Sequence, residues 1–330
     1  MALSRRDMMK SPLALAGASA LGLGLAAEAA AQPTAPGGGE VIDLWPRPPA
    51  GQKHPGMEEV VEQTSSYPAY SGRRMKGISR PRIVAFPAAE PNGGAMLIIP
   101  GGGFAWNYFE HEGYNAARAL NAAGISCFVL FYRLAQDGWA DPAAVGAADT
   151  QRAMRVIRAN AGRFHIDPAR VGVLGFSAGG FLTATLATRH AMPFYTSVDA
   201  IDGESARPLL AAPIYPVQTL DPAFAYVDTA PSLFGRKQAT PAEIRAWSPD
   251  LNVTAAASPA FLVHAEDDGL VPVANTTRLR DALVAQKITV ETHLFARGGH
   301  GFGLRRDPGG PGGLWLPLFL SFAHNQKLFA

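Results

Sequence analysis

The sequence has little cysteine and little net charge, and each shortage excludes a class of protein. Cys127 is the single cysteine in 330 residues, so no disulfide can form within the chain. It lies in the apolar run ISCFVLF, where a thiol is ordinarily a buried strand residue rather than a reactive group. The formal net charge is only +2, and no basic run is interleaved with aromatic residues. The chain therefore lacks the electrostatic pattern of a nucleic-acid-binding protein.

The sequence also lacks clusters with the spacing of metal ligands. Five of the eight histidines have no neighbouring residue at the intervals that zinc sites use. These are His54, His165, His190, His293 and His324. We expect no metal ion and no cofactor.

One long apolar run is present, and it lies near the N-terminus. Arg5 and Arg6 precede an Ala-, Leu- and Gly-rich segment at residues 13–27, and Ala29-Ala30-Ala31 follows it. This order is typical of a bacterial twin-arginine signal peptide that ends in a cleavage site of small residues. A membrane anchor is the alternative, but the run is short, is interrupted by glycine and is not followed by stop-transfer charges.

These features divide the chain into three parts. We predict a signal peptide at residues 1–31, a Pro- and Gly-rich linker at residues 32–50 and one domain at residues 51–330. The mature protein is then expected to be periplasmic or secreted, with no stable membrane insertion after the signal is removed.

The domain alternates between apolar runs and segments with helical spacing. The hydrophobic content of 48% allows a large core. The apolar, β-branched runs lie at residues 83–86, 96–100, 125–132, 171–176, 209–215, 260–264 and 289–295. Helical segments lie between most of them, at residues 114–123, 142–161, 178–190 and 274–286. Runs that are apolar on both faces and separated by helices predict an α/β fold, with a mostly parallel sheet covered on both sides.

One interval interrupts this alternation. Residues 218–258 are too many for a loop, and residues 241–246 have the pattern of a helix. We interpret the interval as an insertion near one end of the sheet rather than as a second domain.

A serine stands at the corner between a predicted strand and a predicted helix. Ser177 occupies the centre of Gly175-Phe-Ser-Ala-Gly179, directly after the run at residues 171–176. A sharp strand-to-helix turn exposes such a serine, and residues two positions away must be small to avoid clashes. The N-terminus of the following helix would favour negative charge developing beside it. This context predicts a nucleophile.

An acid and a histidine follow Ser177 in the order that a catalytic triad requires. Asp267 and Asp268 come after the run at residues 260–264, and His300 stands among glycines after the last run. His300 is the candidate general base, and one aspartate would fix its tautomer. Adjacent residues at a strand end point in opposite directions, so only one aspartate can face the site. The spacing to Val271-Pro272 favours Asp268.

A glycine loop can supply backbone N–H donors, which a serine nucleophile also requires. Pro100-Gly-Gly-Gly103-Phe104 follows the run at residues 96–100, and its backbone N–H groups can approach a substrate without obstruction. A phosphate cradle is the competing interpretation, but no Lys-Ser or Lys-Thr follows the glycines. We assign the N–H groups of Gly102, Gly103 and Ala178 to an oxyanion hole, with the register of the glycines open by one residue.

Taken together, these motifs resemble the α/β-hydrolase superfamily. They are the glycine loop, Gly-Phe-Ser-Ala-Gly-Gly, His264-x-x-x-Asp268-x-x-Val-Pro and Gly-Gly-His300-Gly-Phe-Gly. Within the superfamily the chain is similar to bacterial acetyl esterases and acetylxylan-esterase-like proteins, over roughly residues 80–325. Pro100 stands where many lipase-like relatives have histidine. The resemblance implies an α/β-hydrolase fold, with the short insertion after the sixth strand of that fold.

The resemblance also implies an activity. It is the hydrolysis of short acyl esters, acetyl esters in particular, on a sugar or a sugar-like alcohol, so the expected partner is a small-molecule or oligosaccharide ester. The alternatives are a lipase-like carboxylesterase of broader acyl range, an amidase or peptidase on the same scaffold, and a non-catalytic binding protein. The triad residues, all present, argue against the last.

Residues near the glycine loop are candidates for substrate binding. Phe104, Trp106 and Glu112 are assigned to the substrate pocket, because aromatic faces stack on sugars. Tyr108 is a further candidate, but Trp106, Tyr108 and Glu112 could equally well pack the loop, and both interpretations stay open. Leu233, Phe234 and Trp247 of the insertion are candidates for the border of the same pocket. Arg133, after an apolar strand, is expected to form a structural ion pair with Asp149 rather than to bind substrate.

Overall fold

The computed structural model describes residues 39–64, 72–305 and 310–329. The predicted signal peptide at residues 1–31 lies outside these ranges. The described ranges contain ten strands: β1 Glu40–Asp43, β2 Val60–Thr64, β3 Gly72–Lys76, β4 Arg82–Phe86, β5 Ala95–Ile99, β6 Ser126–Phe131, β7 Val171–Phe176, β8 Ala211–Ile214, β9 Ala260–Ala265 and β10 Val290–Phe295. They also contain seven α-helices: α1 Asn115–Asn121, α2 Pro142–Ala159, α3 Ala178–Arg189, α4 Thr229–Phe234, α5 Pro241–Trp247, α6 Ala274–Ala285 and α7 Trp315–Asn325.

Eight of the strands form one mostly parallel sheet. Their order is β1-β4-β6-β5-β7-β8-β9-β10, and every pair from β6 to β10 is parallel. The antiparallel pairs, β1 with β4 and β4 with β6, lie at one edge. Strands β5 to β9 are buried along their whole length, because apolar runs without alternation can be covered on both faces. Cys127 is one of these buried strand residues, as predicted, and burial raises the pKa of its thiol.

Helices cover both faces of the sheet. Phe261 in β9 contacts Phe319 and Phe322 of α7, whereas its neighbour Leu262 belongs to a cluster with residues of α6. Successive side chains of a strand point to opposite faces, so α6 and α7 lie on opposite sides of the sheet. The predicted layer arrangement is confirmed.

The predicted ion pair of Arg133 is also confirmed. The Arg133 Nη2 lies 2.7 Å from Asp149 Oδ1, and the backbone N–H of Arg133 donates to Asp149 Oδ2 at 2.8 Å. Trp45 donates its indole N–H to the same carboxylate at 2.8 Å. The buried carboxylate therefore ties the end of β6, helix α2 and the segment after β1 together.

The insertion follows β8, which is the sixth strand of the large sheet in chain order. It carries α4 and α5. Thr240 and Glu243 form a capping box at the start of α5, in which each side chain bonds the backbone N–H of the other residue. The local sequence therefore predicts this helix to within one residue.

Five elements differ from the sequence-based prediction or were absent from it. Residues 40–43, which were assigned to the linker, form the edge strand β1, and only Val41 of that strand is buried. The hairpin of β2 and β3 was not predicted, because its sequences VVEQT and GRRMK do not form an apolar run. Helices α4 and α7 were also missed, since α4 has six residues and the first six residues of α7 are all apolar, which hides the helical spacing.

No helix within the described ranges is long and apolar enough to cross a membrane.

Candidate active site

Ser177 lies at the turn between β7 and α3 with an unusual backbone conformation. Its φ is 52°, a value that few residues other than glycine adopt. A Cβ at Gly175 would lie 2.2 Å from the hydroxyl of Thr183, and a Cβ at Gly179 would lie 2.1 Å from the carbonyl of Ile99. Both positions therefore require glycine, and the tight turn directs the Ser177 hydroxyl out of the sheet.

A chain of two short hydrogen bonds joins three predicted residues. The distance from Ser177 Oγ to His300 Nε2 is 2.8 Å, and the distance from His300 Nδ1 to Asp268 Oδ2 is 2.6 Å. The Asp268 side chain is fully buried and that of His300 is almost so. Residues separated by 123 positions along the chain are thus in direct contact, with the imidazole between hydroxyl and carboxylate.

The two candidate acids have different surroundings. Asp268 faces His300, while Oδ1 of the exposed Asp267 accepts the backbone N–H of Gly299 at 2.8 Å. Burial alone would raise the pKa of Asp268. The hydrogen bonds from His264 and His300 outweigh it and hold the pKa of this carboxyl well below its usual range.

His264 also belongs to the site. The sequence analysis named it only as the first residue of the motif that contains Asp268. Its Nε2 lies 3.1 Å from Asp268 Oδ2 and 3.0 Å from the carbonyl of Val271, so this nitrogen faces two acceptors and must carry a proton. Its Nδ1 lies 2.7 Å from the hydroxyl of Thr276. The backbone N–H groups of Leu270 and Val271 donate to the other oxygen of Asp268. The spacing of four residues from His264 to Asp268 was the available signal.

The glycine loop has one N–H group that is already occupied. Gly101 donates its N–H to Glu112 Oε2 at 2.7 Å, so this N–H group is directed away from a substrate. Gly102 and Gly103 both line the cavity above Ser177. Ala178 begins α3, and the first N–H groups of a helix have no partner within that helix. The assignment of Gly102, Gly103 and Ala178 to an oxyanion hole stays a prediction.

The cavity has a volume of about 260 Å³, and its lining comes from several segments of the chain. Trp106, Tyr108 and Glu112 follow the glycine loop and are called the Trp106–Tyr108 wall below, whereas Tyr226 belongs to the insertion and Leu270 and Val271 follow Asp268. Ser177, His300 and the two glycines complete the lining. The sequence analysis expected the insertion to border the pocket through Leu233, Phe234 and Trp247, but the residue of the insertion that lines the cavity is Tyr226. Leu270 and Val271 were not predicted to line it.

Phe104 was assigned to the substrate pocket, and the structure places it elsewhere. Its backbone has a φ of 65°, and its ring is buried against Phe181 with 5.7 Å between ring centroids. Phe104 is not among the residues that line the cavity. The left-handed turn at this position directs the ring into the core, where it supports the loop from below.

Glu112 connects the glycine loop to the histidine loop. Besides accepting the N–H of Gly101, it accepts the hydroxyl of Tyr215 at 2.9 Å. The Tyr215 oxygen in turn accepts the N–H of Gly303 at 3.0 Å, and the Tyr215 ring contacts the His300 ring edge-on at 5.0 Å. Both carboxylate oxygens thus have internal donors, so Glu112 positions the two loops as well as lining the cavity.

Within residues 39–64, 72–305 and 310–329 no group of three or more His, Cys, Asp or Glu side chains could hold a metal ion.

Similar solved structures share this fold. An acetyl ester-xyloside bifunctional hydrolase from Caldicellulosiruptor lactoaceticus superposes with a TM-score of 0.70 at 28% identity, covering 88% of this chain and 98% of that one. An alpha/beta hydrolase from a Medee basin deep-sea metagenome library, at 24% identity and a TM-score of 0.57, covers 75% of this chain and 92% of its own. The α/β-hydrolase fold is thereby confirmed.

Sequence comparison gives the family. An acetylxylan esterase of Xylanibacter ruminicola is 30% identical over 225 residues, which are 67% of this chain. The match spans only 44% of the length of that relative. The BD-FAE family model matches residues 84–283, a segment that contains Ser177 and Asp268 and ends before His300. Because that segment is more than half of the sequence, the chain belongs to the BD-FAE family.

Proposed function

We propose that the protein is a serine esterase that removes short acyl groups, chiefly acetyl, from carbohydrate such as acetylated xylan or xylo-oligosaccharides. The observation that carries the proposal is the continuous contact from Ser177 through His300 to Asp268 at the floor of a small cavity. This geometry supports nucleophilic acyl transfer, because the base lies within hydrogen-bonding distance of the nucleophile and is itself oriented by a third group.

In the first half of the reaction the Ser177 oxygen attacks the carbonyl carbon of the ester. His300 Nε2 takes the hydroxyl proton as the new C–O bond forms, and the carbonyl oxygen becomes an oxyanion. The N–H groups of Gly102, Gly103 and Ala178 are the proposed donors to that oxyanion. When the tetrahedral intermediate collapses, the bond to the alcohol breaks and His300 gives its proton to the departing alcohol oxygen. The acyl group stays on Ser177.

In the second half water takes the place of the alcohol. His300 removes a proton from water as the water oxygen attacks the acyl carbon, and collapse returns the proton to Ser177 while the carboxylic acid departs. Throughout both halves Asp268 accepts the Nδ1–H of His300, so the unprotonated Nε2 faces the hydroxyl. The low pKa of Asp268 keeps this carboxyl ionised while the imidazolium forms.

Two observations support a short acyl group and a carbohydrate alcohol. The cavity of about 260 Å³ lies below the usual range for ligand pockets, roughly 300–1,000 Å³. The similar acetylxylan esterase and the similar acetyl ester-xyloside hydrolase carry acetyl esters and xylosides in their names. The substrate of this chain is itself part of the proposal, because the chain matches less than half of the length of the acetylxylan esterase.

The acyl preference can be measured with a series of p-nitrophenyl esters at constant pH. We expect catalytic efficiency to fall steeply between butyryl and octanoyl, because steric exclusion must reject long chains when each methylene that fits changes binding by only about 1–3 kcal/mol. Release of acetate from acetylated xylan by the same preparation should be measurable. An optimum at eight carbons or longer would instead favour the lipase-like alternative.

We also propose that the protein is exported through its twin-arginine segment. Replacing both Arg5 and Arg6 by lysine should leave the full-length chain in the cytoplasm, because the pair is the part of the signal that the export receptor reads. Cell fractionation and the mass of the mature protein would test this. A wild-type chain that stays uncleaved in the cytoplasm would contradict the assignment.

A further inference from the structure

The β2–β3 hairpin is attached to the cavity wall by consecutive residues of β3. Arg73 pairs with Glu110, with 2.9 Å between Arg73 Nη2 and the carboxylate. Met75 and Asn107 exchange two backbone hydrogen bonds of 2.9 and 2.8 Å. Between them, Arg74 contacts Trp106 and Tyr108. The strand therefore lies directly behind the segment that follows the glycine loop.

Arg74 has the most specific of these contacts. Its guanidinium carbon lies 3.7 Å from the centroid of the Trp106 ring, which is a close stacked geometry. Its Nη1 donates to the hydroxyl of Tyr108 at 2.9 Å, and its Nη2 donates to Glu62 at 2.8 Å. One arginine thus fixes both aromatic side chains of the cavity wall.

The third nitrogen of the Arg74 guanidinium makes no hydrogen bond with the described residues. This nitrogen, Nε, is buried. A buried donor without an acceptor is unfavourable, so the stacked position is maintained by the contacts to Trp106, Tyr108 and Glu62. Lys76 adds a second cation 4.6 Å from the centroid of the same ring. The hairpin therefore holds Trp106 in one orientation.

The residues that line the cavity suit different parts of an ester. Leu270 and Val271 are aliphatic and suit an acyl methyl group. Trp106 and Tyr108 are aromatic and line the cavity together with the carboxylate of Glu112. Ring faces with nearby polar groups match a sugar ring, which has apolar C–H faces and a rim of hydroxyl groups.

We propose that Arg74 is a positioning residue that sets specificity for the alcohol part of the substrate. It holds the Trp106 ring as a platform for the sugar ring next to the scissile ester. This inference rests on the proposed esterase function and extends it, because it assigns the sugar to the Trp106–Tyr108 wall and gives the hairpin a role in substrate choice.

The test compares two acetyl esters in the full-length mature protein. The first substrate is an acetylated xylo-oligosaccharide, and the second is ethyl acetate, whose alcohol is too small to reach the platform; both are followed by acid release in a pH-stat. Arg74→Met keeps an unbranched apolar stem but removes the charge and the planar fork. We expect it to raise KM for the oligosaccharide about fivefold to tenfold, with kcat nearly unchanged and ethyl acetate unaffected.

Conservative and matched variants separate positioning from general anchoring. Arg74→Lys should recover part of the KM, because it restores a cation over the ring without the fork to Tyr108 and Glu62. Arg73→Met removes the neighbouring anchor but not the contact to Trp106, so both esters should respond to it alike. Trp106→Ala should reproduce the split of Arg74→Met, and the double variant should be no worse than either single one.

Several results would overturn the inference. Equal losses on both esters in the Arg74 variants would show that the residue only anchors the segment. An unchanged KM for the oligosaccharide, or an effect that follows the acyl chain in a series of ethyl esters, would remove Trp106 from the sugar side. A wild-type protein without activity on any ester would refute the proposed function itself, and the inference with it. Should Arg74→Met fail to fold, Trp106→Ala carries the same comparison.

Discussion

Ser177→Ala should remove nearly all esterase activity while leaving the fold intact. The Ser177 hydroxyl lies 2.8 Å from His300 Nε2 and is the proposed nucleophile, so no acyl-enzyme can form without it. By analogy with other serine hydrolases, we expect kcat to fall by roughly a millionfold. The measurement is the rate of p-nitrophenyl acetate hydrolysis at high enzyme concentration, beside a thermal melt of both proteins.

A matched control separates the loss of the nucleophile from damage to the turn. Thr183 lies one turn into α3 and donates its hydroxyl to the carbonyl of Gly179 at 2.9 Å, outside the cavity. Thr183→Ala removes a hydroxyl from the same helix and should retain most of the activity. If Ser177→Ala kept substantial activity on acetyl esters, the nucleophile assignment would be wrong.

The sequence predicted the central part of the fold because that part is dictated by local patterns. Continuous apolar runs correspond to β5 to β9, and helical spacing gave α2 and α3 within two residues. The elements that escaped prediction are held by long-range contacts instead. β1 has one buried apolar residue and is a strand because β4 offers it an edge, and the β2–β3 hairpin is held by contacts of β3 to residues 106–110. Pairing of this kind is decided by tertiary structure rather than by propensity.

The residues of the candidate site also differ in whether the sequence alone predicts their positions. Ser177, Asp268 and His300 stand in motifs whose spacing reflects a backbone requirement, so their approach could be predicted from the chain alone. Phe104 could not be placed, since a single left-handed residue decides whether its ring faces the cavity or the core. The role of Arg74 had no sequence signal at all, because it depends on a hairpin that only packing reveals.

Asp268→Asn should lower kcat by about ten-thousandfold, because both oxygens of this carboxylate accept hydrogen bonds from fixed donors. One oxygen accepts from both His300 and His264, and the other accepts the N–H groups of Leu270 and Val271. An amide cannot accept on both sides. If its NH₂ group faces the histidines, it favours the His300 tautomer whose Nε2 is protonated and cannot take the Ser177 proton. If it faces the backbone, it opposes two N–H donors, and the imidazolium that forms on His300 has no negative charge beside it.

Asp267→Asn is the control, because it changes the same charge one residue away. Asp267 accepts the N–H of Gly299 through Oδ1 at 2.8 Å, and an asparagine keeps a carbonyl oxygen that can do the same. We therefore expect its activity to stay within about tenfold of the wild type, since an exposed hydrogen bond contributes little. The measurement is kcat on p-nitrophenyl acetate for both variants at constant pH. If Asp267→Asn were the more damaging of the two, the acid of the triad would be Asp267, and the contact between His300 and Asp268 would not be the one that orients the base.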